Sequence, residues 1–257
     1  MRQQSKVQVT VRNTVIGGVR PLICLPLVAQ DIDALLGQAR ELVALRPDLL
    51  EWRVDAFTKA TEVKECREAL RGLRRAIGDI PLIFTCRIDQ EGGFKAIPAE
   101  KRLELITTLM ASGEVDLVDV ELCNGVEFLA AVRTAAAAGG CKLIFSHHNF
   151  QETPDEAFIL AKLLEGQNAG ADISKLAVMP KSYADVLTLL TATNKARNGA
   201  VTIPIVTMAM GVEGVITRLA GGLFGSDITF AIGSKASAPG QISIGELRTG
   251  MALLYGA

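Results

Sequence analysis

Ile173-Ser174-Lys175-Leu176-Ala177-Val178-Met179-Pro180 is an apolar run of strand length closed by a proline, which cannot donate to a sheet ladder. Strand alternation puts Lys175 on one face with Ala177 and Met179, and Leu176 and Val178 on the other. A lysine inside a buried strand is costly unless its charge is paired or given up, and a neutral amine suits Schiff-base chemistry. Taken alone, the strand also admits a lysine that snorkels to solvent from the strand's start. The rest of the chain decides between the two.

Outward from that strand, apolar strand segments alternate with amphipathic helical ones. Strands are expected at 21–28, 49–57, 81–88, 117–122, 142–150, 173–179, 204–210 and 228–233. Helices are expected at 31–46, 60–77, 98–112, 125–138, 154–169, 182–198, 213–224 and 244–254. Asp31, the run Thr153-Pro154-Asp155-Glu156, and Ser182 with Asp185 carry helix-start signals. Strand–helix pairs repeated in this way predict a (β/α)8 barrel, one domain over residues 1–257, with an N-terminal β-hairpin at about 7–17 capping its bottom end. A doubly wound open sheet is the competing fold, but no G-x-G-x-x-G follows the first strand.

Barrel chemistry belongs on the lumen face at the C-terminal strand ends. Glu51, Arg53 and Asp55 share the face opposite Leu50, Trp52 and Val54, and Thr85 and Arg87 oppose Leu82, Phe84 and Cys86. Asp119 and Glu121 oppose Val118, Val120 and Leu122. Ser146 and His148 oppose Phe145 and His147, so His147 is expected to face the helices. One such charge is an ordinary satisfied core group; this many in one lumen must pair with each other or with a ligand. Glu91-Gly92-Gly93 follows the third strand, Arg218 opens the seventh helix near the same rim, and 234–241 has the small, polar composition of a lid. Gly221-Gly222 with Gly225-Ser226 reads as a helix end before a turn rather than a phosphate cradle.

The 257-residue chain is 49% apolar with a net charge of -1, which argues against nucleic acid or an anionic membrane surface as partner. Five scattered cysteines without a C-x-x-C suggest reduced thiols and a cytoplasmic setting. No apolar run is long enough to span a bilayer, and two histidines make a histidine-rich zinc site improbable.

Several segments together resemble the type I 3-dehydroquinate dehydratases of the shikimate pathway. They are Glu51-Trp52-Arg53-Val54-Asp55, Thr85-Cys86-Arg87 with Glu91-Gly92-Gly93, Ser146-His147-His148-Asn149-Phe150, Lys175 to Pro180, Thr217 to Gly221, and Ala236 to Gln241. The resemblance implies a lyase in which Lys175 forms a Schiff base with the C3 ketone, His148 shuttles protons and Glu91 orients it. It further implies that Arg218 binds the substrate carboxylate, while Glu51, Arg53, Arg87, Ser237 and Gln241 hold ring hydroxyls and close the lid. It also implies a homodimer that needs no cofactor or metal. Pro26 stands where many relatives carry serine, and Thr217 where serine is common. A class I aldolase would share the lysine but not this array of arginines, and a silent barrel binding a polyhydroxy acid would not need a buried amine.

Overall fold

The computed structural model describes residues 2–233, 240 and 242–256. A two-stranded antiparallel hairpin, β1 (Val9–Val11) and β2 (Thr14–Ile16), precedes eight parallel strands. These are β3 (Leu22–Leu27), β4 (Leu49–Arg53), β5 (Leu82–Thr85), β6 (Leu117–Glu121), β7 (Lys142–Asn149), β8 (Ile173–Val178), β9 (Ile205–Ala209) and β10 (Ile228–Phe230). They lie side by side in chain order, with β10 returning to β3, and a helix follows each: the (β/α)8 barrel that the alternation predicts.

The helices are α1 (Ile32–Ala44), α2 (Val63–Ile77), α3 (Ala99–Met110), α4 (Val126–Gly139), α5 (Glu156–Asn168), α6 (Tyr183–Asn198), α7 (Val215–Phe224) and α8 (Ile244–Tyr255). Asp31 caps α1 by accepting from the Ala34 N–H, and Ser182 and Asp185 form a reciprocal capping box on α6. The cap of α5 is Asp155, which accepts from the Phe158 N–H; Thr153 stands outside the helix, so the proline precedes the cap instead of following it. Among the described residues, no helix is long and apolar enough to cross a membrane.

The two faces of each strand behave as alternation requires. Leu50, Trp52, Phe84, Val118, Val120 and Phe145 pack against the helices, where Trp52 meets Phe57 and Phe84 edge-on. Inside the barrel, Val9, Val11 and Ile16 of the hairpin pack on Leu22, Leu49, Ile83, Leu117, Ile144 and Ile173 at the strand starts. The hairpin therefore plugs the bottom with apolar surface and leaves the polar chemistry to the other end.

Three strands end well short of expectation: β4 at Arg53 instead of 57, where the turn Val54–Ala56 begins, β10 at Phe230 instead of 233, and β5 at Thr85 instead of 88. Beyond β5, carboxylates replace the ladder as hydrogen-bond acceptors. Asp55 Oδ1 accepts from the Arg87 N–H at 3.3 Å, and Glu121 Oε1 from the Ile88 N–H at 3.3 Å.

Side chains also close the seam between β9 and β10, which share a single bridge, Ile205 to Ser226. Asp227 donates its N–H to Ile205 O at 2.7 Å and accepts from the Ile205 N–H at 2.8 Å. The same carboxylate is held by Arg2 and Arg197, and all three side chains are buried.

Candidate active site

Lys175 lies in the lumen with 6% of its surface exposed. Its Nζ is 2.7 Å from Asp119 Oδ2, 3.9 Å from Glu51 Oε1 and 4.7 Å from the centroid of the Phe230 ring. Asp119 supplies the counter-charge that a buried ammonium requires. Burial works to raise the Asp119 carboxyl, but the charges of Arg87 and Lys175 outweigh it and hold the group below the usual carboxylate range.

Arg87 ties the neighbouring strands together, contacting Glu121 at 2.7 Å, Asp119 at 3.0 Å and Ser146 Oγ at 2.8 Å. Despite burial, these carboxylates raise its pKa, so it remains a fixed positive charge. Ser146 Oγ donates onward to Asp119 Oδ1 at 2.6 Å. Glu51 accepts from Thr85 Oγ1 at 2.8 Å. Arg53 makes a two-pronged contact with Asp55 at 3.0 and 2.8 Å and also donates to Gly92 O at 3.0 Å. Gly92 has φ +86°, and a Cβ there would come within 2.3 Å of the Phe150 ring; only glycine lets this loop lie under Phe150.

His148 is the last residue but one of β7, which stays paired with β8 to Asn149 but overhangs β6 beyond their last pair, Ser146 to Glu121. Its backbone N–H and its ring Nδ1 both address Glu91 Oε2, at 2.8 and 2.9 Å. That contact puts the ring proton on Nδ1 and leaves Nε2 as the basic atom. Burial, then the charge of Arg87, pushes His148 down to about 3 against the upward pull of Glu91. Burial alone would raise Glu91, but its histidine contacts and Arg87 hold it well below the usual range. His148 is thus neutral and Glu91 ionised near neutral pH.

Glu51, Arg53, Arg87, Glu91, His148 and Lys175 line one small cavity of about 50 Å³, walled also by Phe150, Met208, Met210 and Phe230. Arg218 contacts two of these wall residues: it is buried on α7, with Nη1 3.3 Å from Phe230 O and 3.9 Å from Met208 Sδ. Burial lowers its pKa to about 10. Ser237, Gln241 and nearly all of the expected lid lie outside the described residues. A larger cleft of about 860 Å³ runs between α1 and residues 94–95, but none of the lumen charges reaches it.

Two features escaped the reading of residues one at a time. Asp119 had been placed in the lumen by alternation, yet the need of Lys175 for a counter-ion is the signal that gives it a role. His147 was expected to face the helices with no part in the site. Its ring does lie against Phe158 of α5, 5.6 Å between centroids, but its Nδ1 is 3.6 Å from Glu91 Oε1. Glu91 sits beyond the end of the barrel ladder, where both faces of the overhanging strand come within its reach.

Comparison with known proteins identifies the family. The family model for type I 3-dehydroquinase matches residues 23–257. The 3-dehydroquinate dehydratase of Geobacillus kaustophilus is 47% identical over 249 residues, covering 96% of this chain and 95% of that protein. A crystal structure of that organism's enzyme superposes with a TM-score of 0.96 at 44% identity, covering 100% of this chain and 99% of the other. The type I 3-dehydroquinate dehydratase of Clostridium difficile, crystallised with covalently modified comenic acid, gives a TM-score of 0.94 at 42% identity over 97% and 98% of the two chains. With the match running through every lumen strand, this chain belongs to the type I 3-dehydroquinase family.

Proposed function

We propose that the chain dehydrates 3-dehydroquinate to 3-dehydroshikimate through an imine on Lys175, with His148 moving the protons. The observation that carries this reading is one cavity holding a buried lysine on a carboxylate and a histidine whose second nitrogen is tied to Glu91. Once substrate draws Arg87 off Asp119 and so restores the basicity of that carboxylate, Lys175 passes a proton to Asp119, its nearest acceptor, and the free amine adds to the C3 ketone. Loss of water leaves an iminium, an electron sink that acidifies the C2 proton. Neutral His148 takes that proton through Nε2, and Glu91 stabilises the imidazolium that forms. The enamine then expels the C1 hydroxyl, which leaves as water with the proton of His148. Hydrolysis of the imine returns Lys175 and releases the product.

Arg218 is assigned to the substrate carboxylate, and Glu51, Arg53 and Arg87 to the ring hydroxyls. Ser237 and Gln241 are assigned there by family resemblance. Binding must exchange several of the ion pairs that now fill the lumen for contacts with substrate. The same reading makes the protein a one-domain cytoplasmic homodimer that needs no cofactor or metal, its assembly open to sedimentation analysis.

Turnover followed by ultraviolet absorbance of the conjugated enone, with borohydride trapping and peptide mass spectrometry, tests the mechanism. The reduced adduct should sit on Lys175, and Lys175→Ala should lose both label and activity. His148→Ala should accumulate adduct without reductant and turn over roughly 10²–10⁴-fold more slowly. A label on Lys142, Lys181 or Lys235 would refute the assignment of the amine.

A further inference from the structure

Glu91 has more partners than the orientation of His148 requires. While Oε2 serves the backbone and ring of His148, Oε1 is contacted by Cys123 Sγ at 3.3 Å and by His147 Nδ1 at 3.6 Å. These groups come from different elements: both histidines from the overhang of β7, Cys123 from the short turn Leu122–Asn124 after β6. The ring of His147 lies against Phe158, and among the described residues its buried Nε2 has no hydrogen-bond partner. An orphaned acceptor is tolerated better than an orphaned N–H, so the ring keeps its proton on Nδ1, toward Glu91.

We infer that His147 and Cys123 are positioning residues that hold Glu91 by Oε1 and thereby keep Oε2 on His148. Resting on the assignment of His148 as the base, this deepens the proposed mechanism by naming what fixes its orienting carboxylate. Glu91 lies on the turn Asp89–Glu91, whose backbone is held by its own hydrogen bonds, so what remains to be fixed is the rotation of its carboxylate. Oε1 accepts from Cys123 and has His147 Nδ1 beside it, just beyond hydrogen-bond distance, so rotation of the carboxylate away from His148 would give up contacts on both oxygens. Arg87, two residues past the end of β5, and Glu121, at the end of β6, are further charges that act on it. Burial and the charge of Glu91 push the Cys123 thiol up to about 12, so it remains an S–H donor throughout the working range.

The experiment compares kcat and KM for His147→Leu, His147→Asn, Cys123→Ala and Cys123→Ser, together with borohydride trapping on each variant. Loss of one such donor should lower kcat about 2–10-fold with KM unchanged, and trapped adduct should rise because the proton step slows. His147→Asn places an N–H where Nδ1 stands, and Cys123→Ser keeps a donor, so each should recover most of the loss. Wild-type kcat in both His147→Leu and Cys123→Ala would overturn the inference. So would His147→Asn falling as far as His147→Leu, since volume rather than a donor would then matter. Absence of any adduct on wild-type Lys175 would instead sink the imine reading, leaving the kcat comparison to decide on His147 and Cys123 independently.

Discussion

Lys175 Nζ and Asp119 Oδ2 stand 2.7 Å apart although their strands, β8 and β6, are not neighbours; β7 runs between them. The contact crosses the lumen face of β7, where Ser146 also donates to Asp119. A buried ion pair in this position is a weak source of stability but a direct route for a proton.

Asp119→Asn is therefore expected to slow imine formation more than substrate binding. The asparagine keeps an acceptor for Ser146 but loses the counter-charge and the proton acceptor. Pre-steady-state trapping with borohydride should show labelling of Lys175 slowed by about 10²-fold or more. Labelling at the wild-type rate would show that Lys175 sheds its proton elsewhere.

The acid side of the pH profile should lack the limb of a free imidazole. His148 is depressed to about 3, so it stays neutral and competent well below its ordinary value of 6.5. Its sign in stability follows: the unfolded chain takes up this proton below 6.5 while the folded one does not until about 3. Stability from His148 is complete above 6.5 and declines as pH falls between those values. Glu91 and Asp119, also depressed, add to the loss at still lower pH, whereas Glu121 and Asp227, raised mainly by burial, oppose it. A kcat/KM limb between pH 6 and 7 that vanishes in His148→Ala would contradict the depressed value.

Arg218→Ala should raise KM strongly while imine formation at saturating substrate changes less. A buried arginine–carboxylate contact is charge-assisted, and its loss costs about 2–5 kcal/mol when the partner charge stays buried. Arg218 contacts Met208 and the Phe230 carbonyl, and both of those residues line the cavity. An unchanged KM would remove Arg218 from the site.

Asp227→Ala should destabilise the barrel without touching the chemistry. It would leave Arg2 and Arg197 buried and unpaired at the β9–β10 seam, a loss of about 3–5 kcal/mol in urea unfolding. The seam lies at the strand starts, away from Lys175, so KM should hold. A loss below about 1 kcal/mol would mean the arginines find other partners.

Alternation along single strands was enough to place Glu51, Arg53, Thr85, Arg87, Asp119, Glu121, Ser146, His148 and Lys175 on the lumen face, and the structure keeps all of them buried or half-buried there. That much is local, because backbone sterics send successive side chains to opposite faces whatever the strand's neighbours are. Periodicity and caps placed the helices for the same reason, to within a few residues at their ends. Which charge meets which was decided only in three dimensions. The pairing of Asp119 with Lys175 across β7, the reach of Glu91 to both histidines, and the contact of Arg218 with the Phe230 carbonyl depend on the stagger between strands of the barrel. The sequence of one strand carries no record of that stagger; it is set by the packing of all eight around a common core.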